Sequence, residues 1–299
     1  MDLLQQARAE IDMVDAEMAA LFERRMCALA DVARYKAETG KPVFDAAREA
    51  AVLDKNTARI ADETLRPYYR AFLNDAMAVS RAYQRAQLGR DTAAYQGVPG
   101  AWSHITLRRL FPFARESAFA TWGEVFDAVQ KGDAQFGVLP FENSSAGDVS
   151  TVLDLLYTHP EIIVSRMCDM HIRQDLVAVP GATMETIKTV VSHPQALAQS
   201  SVFVQQHGFK TATWGNTADA ARHVAELGDP TVAAIASAET AELYGLQILS
   251  PGINAEGDNT TRFIVIERAD TAPTMTGEGQ RLALLFTARH KPGQLAAAL

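Results

Sequence analysis

The sequence predicts a multidomain chain. An all-α three-helix domain covers residues 1–90, a two-lobed α/β domain covers residues 91–268, and residues 269–299 form a linker and a short further fragment. Three observations predict this division. Residues 1–39 contain neither Gly nor Pro, and Leu4, Ala7, Ile11, Val14, Met18, Leu21, Leu29 and Val32 recur there at helical steps. After Gly89 the texture changes to short apolar runs alternating with helical patterns, the mark of α/β architecture with largely parallel sheets. The stretch Ala269–Gln280 is polar and rich in Thr, Gly and Pro, as a linker is.

The composition narrows the function classes. The 299 residues suffice for two domains, and 48% hydrophobic with 21% charged residues is the balance of a soluble globular protein. A net charge of −8 without a long basic run argues against general nucleic-acid binding, so anionic ligands must rely on placed cations. The two cysteines, Cys27 and Cys168, suit a reducing cytoplasm better than a disulfide framework. No Cys/His spacing suggests a metal site. The start, Met1-Asp2-Leu3-Leu4, does not read as a signal peptide, and no apolar stretch approaches a membrane span.

Within the first ninety residues, Thr39-Gly40 and Pro42 stop the first helix. Asp45 is a good N-cap for a second helix running to about Ile60, with Arg48 and Glu49 in its early turns. A third helix spans about Thr64 to Leu88, tolerating Pro67 near its start. It offers Leu65, Tyr69, Phe72, Leu73, Met77 and Val79 to a core, and places Ser80 and Gln84 on one face. The first helix would be nearly 60 Å long, about 1.5 Å per residue, and two shorter helices cannot cover its seam. A second copy of the chain is therefore expected, as an intertwined homodimer.

Arg25 interrupts the apolar stripe, and Lys36 follows three turns later on nearly the same face. The two cations lie about 16 Å apart along the axis, and side chains reaching roughly 6 Å can converge on a small anion. Charges facing a seam need a partner. An acidic residue of a neighbouring helix would serve for one Arg; two cations on one inward face favour an anionic ligand.

These ninety residues resemble the helical chorismate mutase family. The resemblance rests on Arg8 before Ile11-Asp12, Arg25 after Leu21-Phe22, Lys36, Asp45, Arg48-Glu49, and Ser80 with Gln84. It implies a pocket built from two subunits. Arg25 and Lys36 would hold the carboxylates and ether oxygen of chorismate, and Arg8 would come from the partner. Arg48, Asp45 and Glu49 would place the ring and hydroxyl, and Ser80 and Gln84 would complete the site. Lys36 and Gln84 are the candidates for the ether oxygen. The rearrangement to prephenate is pericyclic, so it needs no proton transfer or nucleophile, only a compact conformer and stabilised charge. The competing reading of Arg48 and Glu49 is an ordinary charged helix surface.

In the second part, Phe136–Leu139, Asp175–Val179, Thr189–Val191 and Val232–Ile235 read as buried strands. Helical patterns separate them at Glu124–Gln130, Val149–Tyr157, Pro194–Gln206, Thr217–Leu227 and Glu239–Tyr244. Several crossings suit two lobes around a cleft, with hinges near Cys168 and Ser250. Ligands gather beyond the carboxyl ends of such strands. Four candidate segments fall there: Gly97–Gly100 before Ala101–His104, Pro140–Ser145, Ser192–Gln195 with Pro194 at a first helical turn, and Asn259–Phe263 entering a last strand. Singly, each reads equally as a turn, a cap or a structural histidine.

In order, Glu142-Asn143-Ser144, Ser192-His193-Pro194-Gln195 with Gln199, Tyr244-Gly245-Leu246 and Thr261-Arg262-Phe263 resemble prephenate dehydratase. With the first part, the chain is similar to bifunctional chorismate mutase–prephenate dehydratases of phenylalanine biosynthesis. That resemblance implies a fold similar to type II periplasmic binding proteins and a reaction without metal or organic cofactor. Prephenate would lose carbon dioxide and hydroxide to give phenylpyruvate. Thr261 would be the donor nearest the leaving hydroxyl. Asn143, Ser144, Ser192, His193, Gln195 and Gln199 would orient the dianion, and Arg262 would support them. Trp102, Phe141, Asn216 and the later proline in the glycine loop depart from the family's usual residues and bear on fine substrate contacts.

Leu282–Thr287 and His290–Leu295 resemble the opening of an ACT domain, the family's phenylalanine-binding module. One strand and half a helix cannot close a core, so phenylalanine feedback is expected to be weak or lost. Two alternatives remain: a two-lobed aromatic-ligand sensor fused to a helical dimerisation module, and an enzyme with one working site.

Overall fold

The computed structural model describes residues 2–145, 147–254 and 259–270, in two compact units divided after Asp91. The expectations for the stretch from 271 to 299, including the ACT-like fragment, lie outside the described residues.

The first unit is three helices: α1 (Leu3–Thr39), α2 (Ala46–Thr57) and α3 (Arg66–Gln87), the last preceded by a single 3₁₀ turn. Asp2, not singled out in the sequence, caps α1; the predicted stop at Gly40 holds, and its φ of 68° ends the helix in the left-handed conformation. The Asp45 carboxylate caps α2 by accepting from Arg48 N. Pro67 sits in the first turn of α3. Both α1 and α2 pack on α3. Within α1 only Met26 and Ala33 are buried, while Ile11 and Leu21 are 57% exposed and Met18 42%. The apolar seam of α1 thus extends well beyond what its own chain covers.

The second unit holds two sheets. The strands and helices follow in order: β1 (Thr92–Gln96), α4 (Trp102–Leu110), β2 (Arg115–Phe119), α5 (Trp122–Lys131), β3 (Phe136–Asn143), β4 (Gly147–Asp148), α6 (Ser150–Thr158) and β5 (Ile162–His171). Then come β6 (Asp175–Ala178), β7 (Thr189–Ser192), α7 (Pro194–Gln199), α8 (Ser201–Gln206), β8 (Lys210–Thr213), α9 (Thr217–Leu227), β9 (Val232–Ala236), α10 (Ala238–Leu243), β10 (Gln247–Ser250) and β11 (Thr260–Arg268).

The first sheet runs β2-β1-β3-β11-β5, with β4 beside β3; the second runs β10-β6-β9-β7-β8. One core packs α5 and α6 against the first sheet, around Phe126, Val129, Val152 and Ile264, and α4 covers the other face through Leu107. The second sheet buries Ile235 and Val204 on one face, and Val191, Val224 and Ala241 on the other.

Three sequence expectations need correction. The sheets are mixed, not largely parallel: β1–β2, β1–β3, β7–β8 and β7–β9 are parallel, whereas β3–β11, β11–β5, β6–β9 and β6–β10 are antiparallel. The reversed strands among these are β6 and β11, each the first strand after a crossing between sheets, so each enters its sheet from the opposite end. The first crossing is not at Cys168, which pairs with Phe263 inside β5, but at Ile172–Gln174. Arg166, Asp169 and His171 gave this edge strand too polar a sequence to read as one. The helix expected over Pro194–Gln206 breaks at Ser200, whose backbone leaves the helical region.

Candidate active sites

In the helical unit the cations of α1 turn inward. Arg25 donates to the backbone oxygen of Ala76 at 3.3 Å and to the Ser80 hydroxyl, which in turn donates to Ala76 O. Lys36 donates to Val43 O at 2.6 Å. Burial lowers the pKa of Arg25, and lowers that of Lys36 against the opposing pull of Asp45 and Glu49. Ser80 and Gln84 are buried on the same stripe of α3. Gln84 Nε2 faces Ser80 O at 3.3 Å, while its Oε1 is buried with no hydrogen-bond partner among the described residues. An orphaned buried amide end beside a desolvated cation marks a place for a polar ligand.

The remaining mutase-type candidates are placed differently. Glu49 is ion-paired with Arg81, the two side chains being 22% and 25% exposed, and the Arg81 guanidinium lies 5.6 Å from the centre of the Phe44 ring. Arg81 was missed in the sequence; its spacing of four from buried Met77 was the available signal. Asp45 serves as the α2 cap, and Arg48 is exposed. Arg8 is exposed too, and lies 17 residues before Arg25 on one straight helix, about 25 Å away. Arg8 therefore cannot reach the Arg25 site of its own chain.

In the α/β unit the carboxyl ends of β1, β3, β7 and β9 and the amino end of β11 bring the candidate segments together. Thr261 lies opposite Asn143 across the antiparallel β11–β3 pair, so both side chains share a face. The amide of Asn143 is oriented by an unambiguous donor: Ser145 N–H gives to its Oδ1 at 3.0 Å. Nδ2 therefore points the other way, donating to Thr261 Oγ1 at 2.8 Å and to Asn259 Oδ1 at 3.0 Å. With its oxygen engaged, Asn259 presents Nδ2 to Gln199 Oε1 at 3.1 Å. Gln195 reaches Asn143 Oδ1 from α7 at 3.4 Å. Thr261 is 9% exposed and accepts from Asn143, while its own hydrogen is given to no described residue.

His193 caps α7 by accepting from Gln195 N at 3.3 Å, and burial pushes its pKa down, so the ring is neutral near pH 7. Ser144 exchanges hydrogen bonds with the backbone of Thr260. Ser192 is fully buried, donating to Ile235 O at 2.7 Å, which ties it to the sheet and not to the open cleft. Arg262 is a clear departure from expectation. It lies on the face of β11 opposite Thr261, clamped by Glu142 at 3.0 Å and Asp169 at 2.8 Å from the two flanking strands. Strand alternation sends neighbouring residues to opposite faces, so Thr261 and Arg262 cannot both line one cavity.

The glycine loop meets the second lobe. Gly100, at φ 88°, donates its N–H to His104 Nδ1 at 2.9 Å and accepts from Thr240 Oγ1 at 2.8 Å. A Cβ there would lie 3.1 Å from Thr240 Cγ2, so glycine is required on both counts. Tyr244 donates to Pro99 O at 2.7 Å. Because His104 Nδ1 accepts, its proton sits on Nε2, which donates to Glu116 at 2.9 Å. His104 and Asn259 both stood in the quoted segments, but nothing in the sequence separated them from turn residues. Among the described residues no cluster of His, Cys, Asp and Glu could hold a metal ion, and no helix is long and apolar enough to cross a membrane.

Comparison with known proteins bears on both units. A family described as prephenate dehydratase matches residues 93–271, and one described as chorismate mutase type II matches residues 7–85. The bifunctional chorismate mutase/prephenate dehydratase of Enterobacter agglomerans is 31% identical over 290 residues, 90% of this chain and 74% of that protein. Arogenate dehydratase 1 of Petunia hybrida is 39% identical over 184 residues, 61% of this chain. The chain spans less than half the length of that relative, 43%. A crystal structure of prephenate dehydratase from Arthrobacter aurescens, in complex with L-Phe, superposes with a TM-score of 0.60 at 27% identity, covering 69% of each chain.

Proposed function

The chain belongs to the bifunctional chorismate mutase/prephenate dehydratase family, and from that premise we propose that it performs both steps, chorismate to prephenate in the helical unit and prephenate to phenylpyruvate in the α/β unit. The observation that carries the reading is the Thr261 hydroxyl, fixed as acceptor from Asn143 and left with its hydrogen to give.

In the dehydratase step, the ring–carboxylate bond breaks to release carbon dioxide, its electron pair moves into the ring, and the ring hydroxyl departs. Aromatisation drives the step. A threonine hydroxyl is a poor acid, so Thr261 acts as a hydrogen-bond donor to the departing oxygen, its O–H made a better donor by the hydrogen bond its oxygen accepts from the Asn143 amide. The groups joined to Thr261 are amides and hydroxyls, which hold substrate without gripping the carboxylate that must leave. Gln195, Gln199, His193 and Ser144 orient the substrate around them.

In the mutase step, Arg25 and Lys36 hold the dianion compactly. Lys36, with the Gln84 amide turned to present its N–H, stabilises charge on the breaking ether bond. A second copy of the chain covers the exposed seam of α1 and delivers Arg8, making the working unit a homodimer. Two free cysteines accord with a cytoplasmic setting.

Separate assays of chorismate and prephenate on one sample test the reading. Turnover of both is expected. Binding of prephenate without phenylpyruvate would replace it with the ligand-sensor reading. Sedimentation at twice the chain mass is expected, and a monomer with full mutase activity would remove the partner's Arg8 from the site.

A further inference from the structure

We propose that Asn259 is a positioning residue of the dehydratase site, an interlobe clasp that sets the sense of the Thr261 hydroxyl. The inference rests on the dehydratase reading and adds a residue and a role to it. Asn259 is 2% exposed and lies just before β11. Its backbone oxygen accepts from Ile172 N at 2.7 Å, on the first crossing between sheets. Its side chain joins Asn143, at the end of β3 in the first lobe, to Gln199, on α7 in the second.

The polarity of this chain of amides is determined link by link. Ser145 N–H fixes the oxygen end of Asn143, and the amide of Asn143 has two hydrogens to give. One goes to Thr261 Oγ1 and the other to Asn259 Oδ1. Were the Asn259 oxygen absent, the Asn143 amide would lose one of the two shorter acceptors that fix its plane against Thr261, leaving the longer 3.4 Å contact to Thr260 O in that direction. Thr261 could then point its hydrogen back at neighbouring acceptors instead of at substrate. Gln199 and Gln195 apply the same constraint from the second lobe, on Asn259 and on Asn143 Oδ1. The hydroxyl is thereby oriented for donation when the two lobes are engaged.

The test uses the full chain, with mutase turnover of the same preparation as reference. Asn259→Ala should lower dehydratase kcat about tenfold or more, as misplacement of a reacting group does, with KM changed much less. Asn259→Asp keeps an acceptor for Asn143, and the Gln199 amide can turn over to donate to it; this variant should recover most of kcat while raising KM for the anionic substrate. Asn259→Ala combined with Gln199→Ala should lose less kcat than the product of the single losses, because both break one clasp. Unchanged kcat in Asn259→Ala, failure of Asp to exceed Ala, or multiplicative losses in the double variant would each overturn the proposal. Thr261→Ala separates the two claims: if it remains inactive while Asn259→Ala is normal, the clasp fails and the dehydratase reading stands.

Discussion

The two candidate sites are built from opposite chemistry. The helical unit turns a desolvated arginine toward buried Ser80 and a desolvated lysine toward the backbone of Val43, while the described residues linked to Thr261 by hydrogen bonds are amides. The difference follows the reactions proposed. A pericyclic rearrangement keeps both carboxylates, so strong cationic grip helps throughout. A decarboxylation must release one, and a cation aimed at it would stabilise the ground state more than the transition state. Arg262, next to Thr261 in sequence, is turned to the other face of β11 and neutralised there by Glu142 and Asp169.

Substitutions sharpen the contrast. Lys36→Met should cost the mutase about a hundredfold or more in kcat/KM, the scale for removing a charge-stabilising donor from a water-poor site, with prephenate turnover unchanged. Thr261→Ala should lower dehydratase kcat by at least about tenfold and leave chorismate turnover intact; near-normal turnover would remove Thr261 from the mechanism. Arg81→Ala frees the Glu49 carboxylate to compete for Lys36 and should slow the mutase roughly fivefold, within the range of an outer charge contact, again without effect on the dehydratase.

Milder perturbations should separate the sites as well. Raising salt should increase KM for chorismate a few-fold and move KM for prephenate less, since screening acts on charge pairs. The pH limbs should differ too. Burial holds the Lys36 pKa down, so mutase activity should fall on the alkaline side before the ordinary lysine range of about 10.4. His193 must be unprotonated at Nδ1 to cap α7. With its pKa lowered, the unfolded chain binds that proton more readily, so this contribution to stability is present above about 6.5 and is lost as pH falls toward the folded value. Dehydratase activity should accordingly keep its acid limb below the usual histidine range, whereas an acid limb above it would contradict the neutral ring.

Much of this contrast was legible in the sequence. Helix ends marked by Gly40, Asp45 and Pro67 announce themselves because capping is local. Arg25 and Lys36 stood out because a cation in an apolar stripe has few explanations. The edge strands β2 and β5 did not, because one exposed face gives them polar residues. The roles of Arg262, Arg81 and Asn259 were hidden for a further reason. Each depends on partners 32 to 120 residues away, Glu49, Glu142 and Asn143 among them, and on which face of a strand or helix it meets them.

The most direct test mixes two damaged proteins. Lys36→Met retains only the dehydratase and Thr261→Ala only the mutase if the two sites are separate and self-sufficient. Given chorismate alone, each variant should form phenylpyruvate at least about tenfold more slowly than the unaltered chain, and an equimolar mixture should form it faster than either through released prephenate. A mixture no faster than its components, with either variant deficient in both single assays, would show that the cationic and neutral sites are not independent.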